Sequence, residues 1–201
     1  MQIEHRGKRP AIHSSAVVSP TAVVSGDVTV GENTVILHGA VVSAEGGVVA
    51  IGANCVIMEH AVIRATRRHP VRIGDNCLLG PNAYVSGATV ENNVFLATGC
   101  AIFNGARIGA RSTVRIHGVV HVNTVLLEGS TVPIGWVAVG DPAGIHSPHE
   151  HDAIWAVQEK LDFPGTVWGM ARPKPGESNM PEAMRRYTRA LRSHGDDVVV
   201  E

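Results

Sequence analysis

The chain has few aromatic residues and little charge. Aromatics are 4% of its 201 residues, with three Trp, two Tyr and three Phe, and charged residues are 17%. An ordinary globular domain carries about 25% charged residues. A core built on large rings is therefore excluded. The formal net charge is −1 and the isoelectric point about 6.8, so the overall balance does not indicate a nucleic-acid or polyanion binder. Cysteine is also scarce. Cys55, Cys77 and Cys100 are too few for a disulfide framework and read as buried, reduced thiols used as small hydrophobes. No apolar run approaches the roughly 20 residues of a membrane span. The start, Met1-Gln2-Ile3-Glu4-His5-Arg6, lacks the apolar stretch of a signal peptide. The expected location is the cytoplasm, without a membrane partner.

What the chain does have is a beat. A branched aliphatic residue returns every six positions at Ile12, Val18, Val24, Val30, Ile36 and Val42. The beat resumes at Ile51, Ile57 and Ile63, again at Ile73, Leu79 and Val85, and once more from Val90 through Leu96, Ile102 and Ile108 to Val114. A hexapeptide period is the mark of a parallel β-helix. Each step supplies a short strand and a turn, with the aliphatic side chain pointing inward onto its equivalents in neighbouring coils. Many of these residues precede Gly (Gly31, Gly52, Gly74, Gly80, Gly109), which suits the backbone angles of a corner. Four positions after the aliphatic, the residue is mostly small: Ala16, Ala22, Ala40, Cys55, Ala61, Cys77, Ala83, Cys100. Small side chains there fit a narrow prism. Cys55 and Cys77 fall on adjacent coils, where a disulfide is geometrically open but not expected.

The fold class expected is mainly β: a left-handed parallel β-helix over 12–145, followed by a helical appendage over 146–201 with a Pro/Gly linker. Residues 1–11 read as a polar lead-in. Glu45-Gly46-Gly47 and the longer Thr66-Arg67-Arg68-His69-Pro70-Val71-Arg72 interrupt the beat as corner loops, where solenoids usually carry function. From Val114 the spacing drifts, and Val114–Leu127 reads as strand. Ser147-Pro148-His149-Glu150 is a capping box that starts a helix running from 148 to about 161, with Ile154, Val157 and Leu161 as its apolar stripe. Asn179-Met180-Pro181-Glu182 announces a second helix, to about Ser193, with a basic face read as solvated (Arg185, Arg186, Arg189, Arg192). The end, from Gly195, is expected to fray.

The segment from Val41 to Val94 resembles the gamma-class carbonic anhydrases of the left-handed β-helix superfamily. The likeness extends to Val137-Ala138-Val139-Gly140-Asp141-Pro142-Ala143 and the helix after it. It implies a homotrimer with zinc sites at subunit interfaces, each using three His from two neighbouring chains. The family's first His follows a stretch like Ala61-Val62-Ile63, and this chain has Arg64 there. The second follows a Gly, as in Leu79-Gly80, and is here Pro81. The third precedes a Gly and is here Ser86. Ser43-Ala44-Glu45 stands where the family has Arg-Gly-Asp, and Met58-Glu59 where it has Gln-Asp. A catalytic zinc needs three protein ligands and an open position. Neither Arg nor Pro supplies one, so the expectation is a family relative without zinc and without classical hydratase activity.

The functional readings follow from what occupies those places. Arg64, Arg67, Arg68 and His69, with Arg72 nearby, form a basic cluster suited to a small anion. Stacking the coils in register puts His38 in one column with Glu59, Pro81 and Thr98, and His121 in one with Arg64, Ser86 and Phe103. An interface pair between Arg64 of one subunit and Glu59 of the next is expected from the family's trimer. The first function is thus a trimeric scaffold or small-anion binder. The alternative is a hexapeptide-type acyltransferase taking acyl-CoA, with His38 beside Glu59, or else His60, as general base. A second alternative is a hydratase with a relocated metal on His117 or His121. The glycines follow the solenoid period and make no phosphate-cradling loop. The basic helix has no interleaved aromatics beyond Tyr187, so nucleic acid is not an expected partner.

Overall fold

The computed structural model describes residues 1–200. Three sheets wrap one continuous coil. One seven-stranded sheet starts at Ala11–Ile12 and is called here the Ala11 sheet. A second, the Val17 sheet, starts at Val17–Val18 and also has seven strands. The third, the long sheet, has ten strands, eight of them in parallel from Gln2–Glu4 to Val137–Val139. Most strands have only two or three residues, because the chain must turn at every corner of the prism. A full coil takes eighteen residues, three hexapeptides: Val24 pairs with Val42, and Ile102 with Val120. The parallel β-helix expected from the period is therefore observed.

The core is a stack of aliphatic side chains at one radius. Ile36, Ile57, Ile63, Leu79, Leu96, Ile102 and Ile108 are fully buried, and the small positions Ala22, Ala61, Cys77, Ala83 and Cys100 lie between them. All three cysteines are free thiols, and burial pushes the Cys100 thiol up to about 12. The beat does not drift after Val114. Val120, Leu126, Val132 and Ala138 continue it at six-residue spacing and are buried. The continuous strand expected over Val114–Leu127 is instead two-residue strands separated by turns, because His117 and Asn123 take the left-handed conformation and provide the bends.

The corners have a different cause from the one expected. The glycines after the aliphatic residues do not have left-handed backbone angles. A Cβ at Gly31 would stand 2.6 Å from the Gly52 backbone, and one at Gly80 would stand 2.8 Å from the Thr98 nitrogen. Close approach of one coil to the next demands them. The left-handed corners fall on Asn33, Asn54, Asn76, Asn82, Asn93 and Asn123, on His60, His117 and Arg111, and on other glycines such as Gly39, Gly99, Gly105, Gly129 and Gly135. Asn tolerates that region better than other side-chain-bearing residues.

Both ends of the chain differ from the sequence reading. The lead-in is a strand, Gln2–Glu4, paired in parallel with Val23–Ser25. The described residues near the end do not fray: Val198–Val199 pairs antiparallel with Gln2–Glu4 and covers the open edge, and Glu201 lies outside the described residues. The first helix, α1, is shorter than expected at His151–Gln158, followed by a 3-10 turn at Glu159–Leu161. The box residues do interact, with the Ser147 amide donating to Glu150 at 2.7 Å, but the turn they close precedes the helix. Of the expected stripe only Ile154 is buried. The Pro/Gly linker contains a π-helical turn, Pro164–Trp168. The second helix, α2, runs from Met180 to Leu191, near the expected bounds, and ends in a 3-10 segment.

Ile63 sits at the centre of the stack with no exposure. Ile63→Ala is expected to lose about 2–5 kcal/mol of stability, the usual range for a buried aliphatic residue cut to Ala. Urea denaturation followed by circular dichroism measures it.

Candidate functional site

The outward side of the long sheet carries the columns that matter. Arg64 pairs in register with Ser86, and the strands continue this column through Phe103 to His121. The column is partly covered: Ser86 is buried, and Arg64, Phe103 and His121 are half-buried. The π-helical turn and α2 lie over it, and Phe163, Val167 and Tyr187 join Arg64, Ser86 and Phe103 around a small cavity of about 140 Å³. The Phe103, His121 and Phe163 rings follow one another at 6.4 Å and 6.3 Å. His69 anchors this cover through Nε2, 3.1 Å from the Thr166 carbonyl.

Beside the column is a larger cleft of about 540 Å³ between the long sheet and α2. Its walls include Arg6, Arg64, Arg67, Arg68 and Arg186, with Glu45 as the one carboxylate, and Trp168 and Tyr187 as apolar surfaces. The turn that holds Arg67 and Arg68 is tight, because Thr66 and His69 exchange backbone hydrogen bonds at 2.9 Å and 3.1 Å. Arg186 pairs with Glu182 at 2.7 Å, and Arg6 donates to Ser193 and to the Ala190 carbonyl. Arg64, Arg67 and Arg68 have no hydrogen-bonded carboxylate among the described residues. Burial pushes the Glu45 carboxyl up, but the hydrogen bond from Ser43 and the charges of His194 and Arg64 outweigh it and hold the group below its ordinary value.

The cluster read from the sequence is partly assembled. Arg64, Arg67 and Arg68 share the cleft, whereas His69 is engaged with the cover and Arg72 lies on the Ala11 sheet. Arg6 and Arg186 were not foreseen, since they come from the two ends of the chain. The corner column holds in register, with the Asn82 amide on the Glu59 carbonyl and the Gly99 amide on the Pro81 carbonyl. His38 is exposed, and its Nδ1 meets Thr21 Oγ1 at 3.0 Å rather than Glu59. His60 and His117 sit at left-handed corners, each over a glycine of the neighbouring coil. Of positions 64, 81 and 86, Arg64 and Ser86 are direct neighbours, whereas Pro81 stands at a corner turn in the other column. Among the described residues, the metal-compatible side chains that do gather are His5, Glu45 and His194, elsewhere on the long sheet.

Burial between two aromatic rings lowers the His121 pKa, and Nδ1 has no hydrogen-bond partner. A histidine depressed below its unfolded value of 6.5 is neutral in the fold and must charge on unfolding in acid. Stability is thus expected to fall as pH drops through 6.5. In His121→Phe, which keeps the ring stack, the melting temperature should fall less between pH 7.5 and pH 5.5 than in the wild-type protein. Parallel thermal melts of the two proteins check this.

Comparison with known proteins agrees with this architecture. Residues 70–104 match the family described as the hexapeptide repeat of succinyl-transferase. The mitochondrial gamma carbonic anhydrase 1 of Arabidopsis thaliana is 30% identical over 142 residues, 68% of this chain and 50% of that protein. A carbonic anhydrase of Geobacillus kaustophilus is 28% identical over 105 residues, 52% of this chain and 58% of that one. The chain thus spans about half the length of the curated relatives it matches. Among solved structures, a Bacillus cereus protein named a candidate acetyltransferase superposes with a TM-score of 0.53 at 19% identity, covering 82% of this chain and 94% of that one, a likeness of fold. By its hexapeptide period, its observed coil and these relatives, the chain is a gamma carbonic anhydrase-like protein of the hexapeptide-repeat superfamily.

Proposed function

We propose that this protein is a trimeric gamma carbonic anhydrase-like solenoid that lacks the family zinc site and binds a small anion in its arginine-lined cleft. The carrying observation is the set of five guanidinium groups around one cleft against a single lining carboxylate, with Arg67 and Arg68 free of any hydrogen-bonded carboxylate among the described residues. Unpaired guanidinium groups held on a tight turn are pre-organised for a planar or tetrahedral oxyanion. Arg64 and Ser86 occupy two of the family's ligand places, and Pro81 the third. Arg and Pro donate no lone pair to a metal at neutral pH, so hydration chemistry of the family type has no ligand set at that position.

The trimer rests on the exposed face of the Val17 sheet. Val17, Val35, Val56, Leu78 and Phe95 point outward in one row, with Val17 56% and Phe95 41% exposed. An apolar row of this kind favours burial against another subunit. The corner with Glu59 borders it, and Glu59 of one subunit meets Arg64 of the next. Sedimentation equilibrium should give a trimer. Phe95→Asp should shift it to monomer, and Arg64→Ala should raise its dissociation. Unchanged dissociation in Arg64→Ala would remove the Glu59–Arg64 pair from this account.

The anion is tested by calorimetric titration of chelator-treated protein with bicarbonate, inorganic phosphate and acetyl-CoA. Bicarbonate or phosphate should bind. Arg67→Ala and Arg68→Ala should each weaken it by about tenfold or more, from roughly 1.5–3 kcal/mol per hydrogen bond to a charged group. Absence of any anion binding would overturn the reading. Acetyl-CoA binding with transfer activity lost in His38→Asn would instead favour the acyltransferase, whose base would be the exposed His38 held by Thr21.

A further inference from the structure

The first and last strands meet on the long sheet, and a cluster forms where they do. His5 follows the strand Gln2–Glu4, and His194 and Asp197 precede the strand Val198–Val199 that pairs with it. His5 is 1% exposed. Its Nδ1 lies 2.6 Å from one oxygen of Asp197, and His194 Nδ1 lies 2.8 Å from the other. The two rings stack with centroids 4.5 Å apart and planes at 22°. One carboxylate therefore holds the same nitrogen of both rings and leaves both Nε2 atoms on the far side. There, His194 Nε2 stands 3.0 Å from Glu45. One ligand atom each from His5, Glu45 and His194 lie within 4.8 Å of one another.

We propose that His5, Glu45 and His194 form a binding site for a divalent transition-metal ion of the zinc class, with Asp197 as the orienting carboxylate. The decisive atom is His5 Nε2, which is buried and has no hydrogen-bond partner. An ion-paired clasp of His194 between Asp197 and Glu45 would explain the other contacts but leaves this nitrogen orphaned, which is costly in a protein interior. A metal satisfies it. A carboxylate accepting from the non-ligating nitrogen is what metal-bound histidines ordinarily have, since it sets the tautomer and the ring direction. Ser43 Oγ donates to Glu45 at 2.7 Å and steadies the third ligand in the same way. Metal–ligand bonds of about 2.0–2.1 Å imply ligand atoms roughly 3.3 Å apart, and the His194–Glu45 separation is close to this. Two histidines and a carboxylate leave a coordination position open. Beside Glu45 and His194 is a recess of about 250 Å³, walled by Ile3, Val23, Val41 and Val62 with Ser25, Ser43 and Arg64 as its polar points, which leaves room for water as a remaining ligand.

The test is titration of the chelator-stripped, full-length protein with Co²⁺, followed by visible absorption, and with Zn²⁺, followed by calorimetry. One equivalent is expected to bind in the micromolar range or tighter. Cobalt should give d–d bands of a four- or five-coordinate site without a thiolate charge-transfer band, which separates this site from the cysteines. Glu45→Gln and His194→Gln, both partly exposed and so expected to fold, should abolish stoichiometric binding. Asp197→Asn should weaken it 10–100-fold, as loss of an orienting partner does. No saturable binding by the wild type, or binding undiminished in Glu45→Gln and His194→Gln, would overturn the proposal. The outcome is independent of the anion reading, because that titration is done on stripped protein and scored on Arg67 and Arg68.

Discussion

Everything in this molecule depends on one coil lying about 4.8 Å above the last, in register, through backbone hydrogen bonds. At that spacing, equivalent positions of successive coils must be compatible over the whole length. Inward positions become a continuous aliphatic stack, from Val24 and Ile36 to Val132. The positions after them become glycine wherever the next coil's backbone comes too near, as Gly31 meets Gly52 and Gly52 meets Gly74. The scarcity of aromatic residues is a consequence, since a ring has no room inside so narrow a prism.

The same register turns sequence distance into chemistry on the outside. Residues twenty-two apart, such as Arg64 and Ser86, become neighbours, and the column continues to Phe103 and His121. A ligand set can be lost from such a column without harm to the fold, because the outward residues take no part in the stack. The solenoid is therefore a frame on which sites can be moved, and fold alone does not assign the function.

The appendage supplies what the frame lacks. It lays Phe163, Val167 and Tyr187 over one column and brings Arg186 to the cleft. Its last strand closes the open edge and carries His194 and Asp197 to His5 and Glu45. Both clusters thus join the repeat to residues that no period relates to it. Nearness of a basic cleft and a histidine–carboxylate cluster, with Arg64 bordering both, makes this end of the long sheet the chemically richest part of the protein.

Local order in the sequence was sufficient for the coil and the second helix, because each follows from a short-range rule: a six-residue period, and a Pro near a helix start. It was also sufficient for the column of Arg64 and Ser86, since the six-residue phase, counted across the two interruptions, converts into spatial neighbours. It was misleading from Val114 onward, where the aliphatic beat persists but dense Val residues at outward positions obscure it. The tertiary structure alone decided the pairing of Gln2–Glu4 with Val198–Val199, the cover over Arg64 and the meeting of His5, Glu45 and His194. Those contacts join residues up to 196 positions apart. No local pattern encodes them, and only the packing of the appendage on the finished solenoid brings them together.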